Sequence, residues 1–226
     1  MRPRKAKYDG LTGWVRTIHH GLPERLLAPQ PVKPSYFAFL GRIAPEKGVD
    51  RAIRIAQRCG VTLRIAAKVD NVDRDYFQEQ IRPLVNSTDT EYIGEITDNE
   101  KSAFLSGAIA LLVPIDWPEP FGLVMIEAMA CGTPVIAFNR GSVPEVVEDG
   151  LTGFIVEDEI GAIGAVDRLW QLPREGVRKR FEERFTARRM AQDYLAVYRS
   201  LIDGASARLR LVVDDTAPLQ VAAEGH

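Results

Sequence analysis

Two carboxylates are set apart by their spacing. Glu119 and Glu127 have seven residues between them, inside the segment PIDWPEPFGLVMIEAMACGTPVIAFN that runs from Pro114 to Asn139. Glu119 lies in a loop rich in Pro and Trp. Glu127 lies about a turn and a half into a helix that opens after the turn Phe121-Gly122. The N-terminus of that helix therefore falls between the two acids. Its unpaired backbone N–H groups, at Gly122, Leu123 and Val124, and its dipole favour an anion. Ionised carboxylates only accept hydrogen bonds, so two of them flanking a bound phosphate suit sugar hydroxyls. The plainer reading makes Glu119 a surface acid and leaves Glu127 to stabilise the helix dipole.

A second set is Gly41-Arg42 with Lys47-Gly48. Arginine offers a planar fork of donors and lysine a mobile point charge, a pairing suited to a diphosphate. The glycines let the backbone approach a ligand closely. Short motifs of this kind also arise as solvated loop cations.

Both sets need a scaffold, and the hydrophobic pattern supplies one. Strands are expected at 36–40, 61–66, 90–93, 109–113, 135–138 and 153–156. Helices are expected at 49–58, 73–85, 98–106, 160–172, 175–184 and 187–202. Val49, Ile53 and Ala56 recur on one helical face, as do Met190, Tyr194, Val197 and Leu201. Thr97-Asp98-Asn99-Glu100 and Ser142-Val143-Pro144-Glu145 both have capping-box spacing. Trp14 to Ile18 reads as a short edge strand. Alternating strands and helices require crossover connections and predict an α/β, Rossmann-like doubly wound parallel sheet flanked by helices. In such sheets ligands bind beyond the carboxyl ends of the strands. The loops at 41–48 and 114–122 each follow a strand and precede a helix, so they belong on that same edge. Residues 1–16 read as a disordered or partner-contacting arm, 17–203 as the binding domain and 204–226 as a mobile tail.

Composition narrows the function classes. The 29 basic and 31 acidic residues leave a net charge of −2, which gives no electrostatic case for nucleic acid or an anionic membrane. Cys59 and Cys131 are isolated, which points to a reducing compartment and to neither a disulfide framework nor a zinc site. No apolar run approaches the roughly 18 residues of a membrane span. A cytoplasmic protein is expected. Asp73-Arg74-Asp75 mimics a metal-binding pair but reads as solvated charge. His19 and His20 are adjacent, so on an extended segment they point to opposite faces and do not share a metal. Cys131 is expected to pack as a small apolar residue. Trp117 fits either a sugar pocket or a loop cap. Arg178, Lys179 and Arg180 read as a solvated helix face.

The stretches FLGRIAPEKGVDRAI, YIGEI and PIDWPEPFGLVMIEAMACGTPVIAFNRGSVPEVVEDGLTGFIV resemble the C-terminal domain of retaining glycosyltransferases of the GT-B fold, family 4. The resemblance covers roughly residues 17–203. It implies one half of a GT-B fold that binds a UDP-, GDP- or ADP-linked sugar. It implies transfer to an acceptor hydroxyl with retention, without a metal or other cofactor. Arg42 and Lys47 match the pair that binds the diphosphate, alongside Gly41. Glu119 matches the acid at the donor sugar, where it positions the sugar and stabilises an oxocarbenium-like state. Phe121, Gly122, Leu123 and Val124 match the turn whose amides contact sugar and phosphate. Glu127 matches the acid on the ribose hydroxyls, and Ile93 and Gly94 the lining of the base pocket.

The sequence departs from that pattern in three places. The family's Gly-Gly-x-Pro-Glu loop reads Arg140-Gly141-Ser142-Val143-Pro144-Glu145 here, without the paired glycines. His20-Gly21-Leu22-Pro23 replaces the hinge pattern Asn-Gly-Val-Asp. The N-terminal acceptor domain, which in the family also supplies a histidine to the site, has no counterpart in residues 1–16. The chain is therefore expected to be catalytically incomplete alone. A separate acceptor-domain partner or self-association would complete it. A split-enzyme binding module and half of a sugar-nucleotide epimerase are the alternatives.

Overall fold

The computed structural model describes residues 15–214. Nearly all of the expected arm and the last part of the expected tail lie outside them. The sheet and its helices form one compact unit, His19–Arg189. A second unit holds Arg16 and the helix from Met190, joined within itself by an Arg16–Asp193 ion pair at 3.2 Å.

Six strands build the first unit: β1 (Tyr36–Arg42), β2 (Leu63–Lys68), β3 (Thr90–Gly94), β4 (Ala108–Val113), β5 (Val135–Phe138) and β6 (Gly153–Val156). They lie in the order β3-β2-β1-β4-β5-β6, and every neighbouring pair is parallel. The expected α/β Rossmann-like sheet is thus formed, with its reversal of strand order between β1 and β4. Along β1, Tyr36 and Ala38 face one layer while Phe37 and Phe39 face the other. In β4, Leu111 and Val113 oppose Ala110 and Leu112 in the same way. A parallel sheet buried on both faces needs such runs of apolar residues.

On one face pack α1 (Val49–Cys59) and α7 (Glu159–Val166), through Val49, Ile53, Ala162 and Ala165. On the other pack α4 (Asp98–Ser106), α5 (Leu123–Ala130), the short α6 (Val143–Val146) and α8 (Arg174–Arg184), through Leu105, Met125, Met129, Val146 and Phe181. The helix expected over 73–85 is divided into α2 (Arg74–Tyr76), a π-helical stretch Phe77–Ile81 and α3 (Arg82–Ser87). Pro83 lacks an N–H and crowds the carbonyl four residues back, so the helix widens upstream instead of stopping. The helix expected over 160–172 ends at Val166, followed by a 3-10 turn, Leu169–Gln171. The last helix, α9 (Ala187–Asp214), continues past the expected end at Ile202. A single glycine at position 204 weakens helix propensity by about 1 kcal/mol but removes no hydrogen bond, so it does not end the helix. The expected edge strand is absent from the described residues 15–18.

Arg178 corrects the reading of a solvated helix face. Its guanidinium donates to the carbonyls of Ala130 at the end of α5, Leu27 (2.9 Å) and Glu24 (3.2 Å). Arg174, one turn earlier, donates to Ala108 (2.8 Å), Ser106 (2.9 Å) and the Thr133 hydroxyl (2.6 Å). A cation at a helix C-terminus is favoured by the dipole, so Arg178 both caps α5 and ties α8 to it. Truncation to alanine strands these carbonyls, each costing about 1–3 kcal/mol if buried. Arg178→Ala is expected to lower unfolding stability by about 2–4 kcal/mol in urea titration, whereas a solvated residue would cost under about 0.5 kcal/mol.

Candidate functional site

The two loops meet, as their positions after β1 and β4 require. Gly48 has φ +71° and lies so close to the Pro114 carbonyl that a Cβ there would sit 2.1 Å from its oxygen. The Asp116 amide donates to the Glu46 carbonyl at 2.9 Å. Arg51 donates to the Pro114 carbonyl at 3.2 Å and to the Asp116 carboxylate at 3.0 Å. These contacts fix both loops at the reversal of strand order, where doubly wound sheets open a crevice.

A cleft of about 130 Å³ lies there and brings together Gly41, Arg42, Lys47, Glu119, Gly122, Leu123 and Val124. A second, of about 320 Å³, shares Gly41, Leu123 and Val124 and adds Glu127, Lys101 and Glu95. Most of the residues singled out in sequence therefore converge on one composite groove. Gly122, at φ +77°, begins α5 without a side-chain cap; the Met125 amide turns back to the Gly122 carbonyl at 3.0 Å, and the Leu123 and Val124 amides are left for another acceptor.

Glu119 is held on two sides. Its Oε2 accepts from Lys47 Nζ at 2.6 Å and from the indole N–H of Trp117 at 3.0 Å. The same ammonium lies 4.6 Å from the Trp117 ring centre. Of the two roles expected of Trp117, the loop cap is the one this contact supports, because the indole bonds a residue of the same loop. It orients Glu119 and stacks beneath Lys47. From behind, the Gly141 backbone presses on Glu119, and the Ser142 amide donates to the Glu119 carbonyl at 2.9 Å.

Arg42 is drawn to carboxylates beside the cleft: Glu46 at 2.8 Å, Asp70 at 3.6 Å and Asp73 at 3.8 Å. Burial works against its charge, but these acids hold the guanidinium above its ordinary range. Asp73 is therefore an arginine partner rather than a solvated charge. Among the described residues no group of three or more His, Cys, Asp and Glu is arranged to hold a metal.

Glu127 is nearly buried and accepts from Lys101 Nζ at 2.9 Å. Lys101 comes from α4, whose start carries the expected capping box: Glu100 accepts from the Thr97 amide at 2.8 Å and its hydroxyl at 2.7 Å. The sequence reading passed over Lys101. A cation one turn from a helix N-terminus opposes the dipole, which was the available signal that it needed an anionic partner elsewhere.

Several expected residues lie off the groove. Phe121 is buried in the core with the rings of His20 (5.0 Å) and His19 (6.0 Å) against it. The two histidines thus flank one aromatic ring instead of facing apart. Ile93 is exposed and Gly94 turns the chain at φ +77°, while the next residues, Glu95 and Ile96, line the second cleft. The capping box expected at Ser142 does not form. Ser142 already has helical backbone angles, its hydroxyl is buried without a partner, and Glu145 pairs with His19 at 3.2 Å. Cys131 packs as expected, and burial pushes its thiol up to about 11.

The fold, with its groove at the switch point, is that of a C-terminal-type domain of GT-B glycosyltransferases. It superposes on a sucrose-phosphate synthase from Thermosynechococcus elongatus with a TM-score of 0.73 at 26% identity, over 85% of this chain and 54% of that one. The chain belongs to the glycosyl transferases group 1 family, whose model matches residues 28–186. It is 32% identical over 183 residues to a glycogen synthase of Mycobacterium tuberculosis, covering 74% of this chain and 44% of that protein. It is 34% identical over 167 residues to a D-inositol 3-phosphate glycosyltransferase of Mycobacterium bovis, covering 71% and 34%. The chain therefore spans about half the length, or less, of these relatives. Among the described residues, no helix is long and apolar enough to cross a membrane.

The loop contact yields a test. Gly48→Ala places a methyl against the Pro114 carbonyl at a left-handed backbone position. A loss of about 2 kcal/mol or more in chemical denaturation is expected, and an unchanged midpoint would contradict the contact.

Proposed function

We propose that this chain forms the donor-binding half of a retaining glycosyltransferase. It takes a nucleoside diphosphate sugar and directs the sugar to an acceptor hydroxyl. The observation that carries this reading is the convergence of Lys47, Arg42, Glu119 and the uncapped start of α5 on one cleft, with Glu127 in the adjoining one.

In this reading the diphosphate sits on the first-turn amides of α5. Lys47 and Arg42 then exchange their carboxylate partners for phosphate oxygens. Both cations lie where the departing diphosphate gains charge, so their attraction grows in the transition state. Glu119 faces the sugar, positions its hydroxyls and stabilises positive charge at the anomeric carbon. Glu127 accepts from the ribose hydroxyls, and Glu95 and Ile96 lie beside the base. No metal is required, because the cations and the helix dipole supply the countercharge. The acceptor side belongs to further polypeptide, in this protein or in a partner, and the domain alone holds donor without completing transfer.

Calorimetry with UDP, GDP and ADP tests the reading. One of them is expected to bind, and Lys47→Ala or Glu127→Ala to weaken it by about tenfold or more, the loss of one hydrogen bond to a charged group. Absence of binding by all three nucleotides would overturn it. Turnover of a nucleotide sugar without acceptor would instead mark an epimerase. A second reading, a module that works with a partner chain, is favoured by exposed Tyr194, Tyr198 and Leu201 on α9. Transfer to an acceptor by the isolated monomer would exclude it.

A further inference from the structure

Lys101 reaches into the second cleft from α4, across from Lys68 of β2, and its position is tightly specified. The capping box of Thr97 and Glu100 fixes the first turn of α4, and the Lys101 amide itself donates to the Thr97 carbonyl at 3.2 Å. From that turn the ammonium spans two carboxylates, Asp98 at 3.0 Å on its own helix and Glu127 Oε1 at 2.9 Å on α5. Glu127 is 9% exposed and Lys101 only 20% exposed in its side chain. Burial alone would pull the Lys101 ammonium down, but the hydrogen bonds it donates to Glu127 and Asp98 hold it above the ordinary lysine range. A nearly buried carboxylate without a partner is costly, so the Lys101 ion pair both supplies Glu127 with a countercharge and orients it. With Oε1 occupied, Oε2 is the atom left to accept from a ligand in the groove.

We propose that Lys101 is a positioning residue for ribose recognition: by holding Glu127 Oε1 it aims Oε2 at a vicinal diol, and so sets the preference for ribonucleotides over deoxyribonucleotides. This rests on the donor-binding reading above. Lys101 acts here through Glu127, not by contact with the nucleotide. Asp98 restrains the ammonium from the solvent side, so that it does not swing into the groove and take the place of the diol.

The test compares affinities for a nucleotide and its 2′-deoxy counterpart, using UDP with dUDP, or the GDP or ADP pair if those bind instead. The wild type is expected to favour the ribonucleotide by about tenfold, one hydrogen bond to a charged group. Lys101→Met should reduce that ratio to near one, and Lys101→Arg should retain most of it. In a Glu127→Gln background, where the preference is already lost, Lys101→Met should change the ratio no further. Thermal melts of each variant separate unfolding from altered recognition. If Lys101→Met weakens both nucleotides equally and leaves the ratio intact, Lys101 binds phosphate or base directly and the proposal is wrong. If the wild type binds nucleotide but Glu127→Gln keeps the full preference, Glu127 does not read the ribose, and the donor-binding assignment of that residue fails first.

Discussion

The site depends on one backbone contact, Gly48 against the carbonyl of Pro114. It joins the loop after β1 to the loop after β4, where the order of the strands reverses. Only a residue without Cβ fits, since a methyl would sit 2.1 Å from the oxygen. That approach brings Lys47 within 2.6 Å of Glu119, groups that are 72 positions apart in the chain. The Arg51 fork on Pro114 and Asp116 holds the same junction from the α1 side.

Electrostatics then follow from geometry. Three cations of the groove already have carboxylate partners there: Lys47 has Glu119, Arg42 has Glu46, and Lys101 has Glu127. These pairs are partly buried, so solvent and salt screen them less than surface pairs. Ligand binding at such a place is an exchange of partners rather than the filling of an open positive patch. The proposed diphosphate would carry more charge than one carboxylate, and among the described residues no side chain caps the start of α5.

On the opposite edge of the sheet, arginine serves stability. Arg174 and Arg178 occupy carbonyls at the ends of α4 and α5 and at the first residue of β4, and so bind α8 to the layer that carries Glu127. The same residue type therefore acts as a ligand candidate at one edge and as a helix staple at the other. Sequence alone does not separate these uses, because both are runs of charge near turns.

The amino-acid sequence determined the local facts. Alternating apolar runs and helical faces were enough for the parallel sheet and for the edge that carries both loops. Glu119, Glu127, Arg42 and Lys47 were legible from residue type and spacing, because each lies within a few positions of a strand end or a helix start. What the tertiary structure decided were contacts between distant segments. Lys101 meets Glu127 across 26 positions, Trp117 turns its N–H to Glu119, and Phe121 folds inward beneath two histidines. Arg42 lies among Asp70 and Asp73, which a local reading left in solvent. Periodicity reports which face of an element is buried, but not which side chain of another element meets it there. That pairing depends on the packing of helices across the sheet, and at the Glu119–Glu127 segment it turned two acids and a helix start into two clefts with a shared wall.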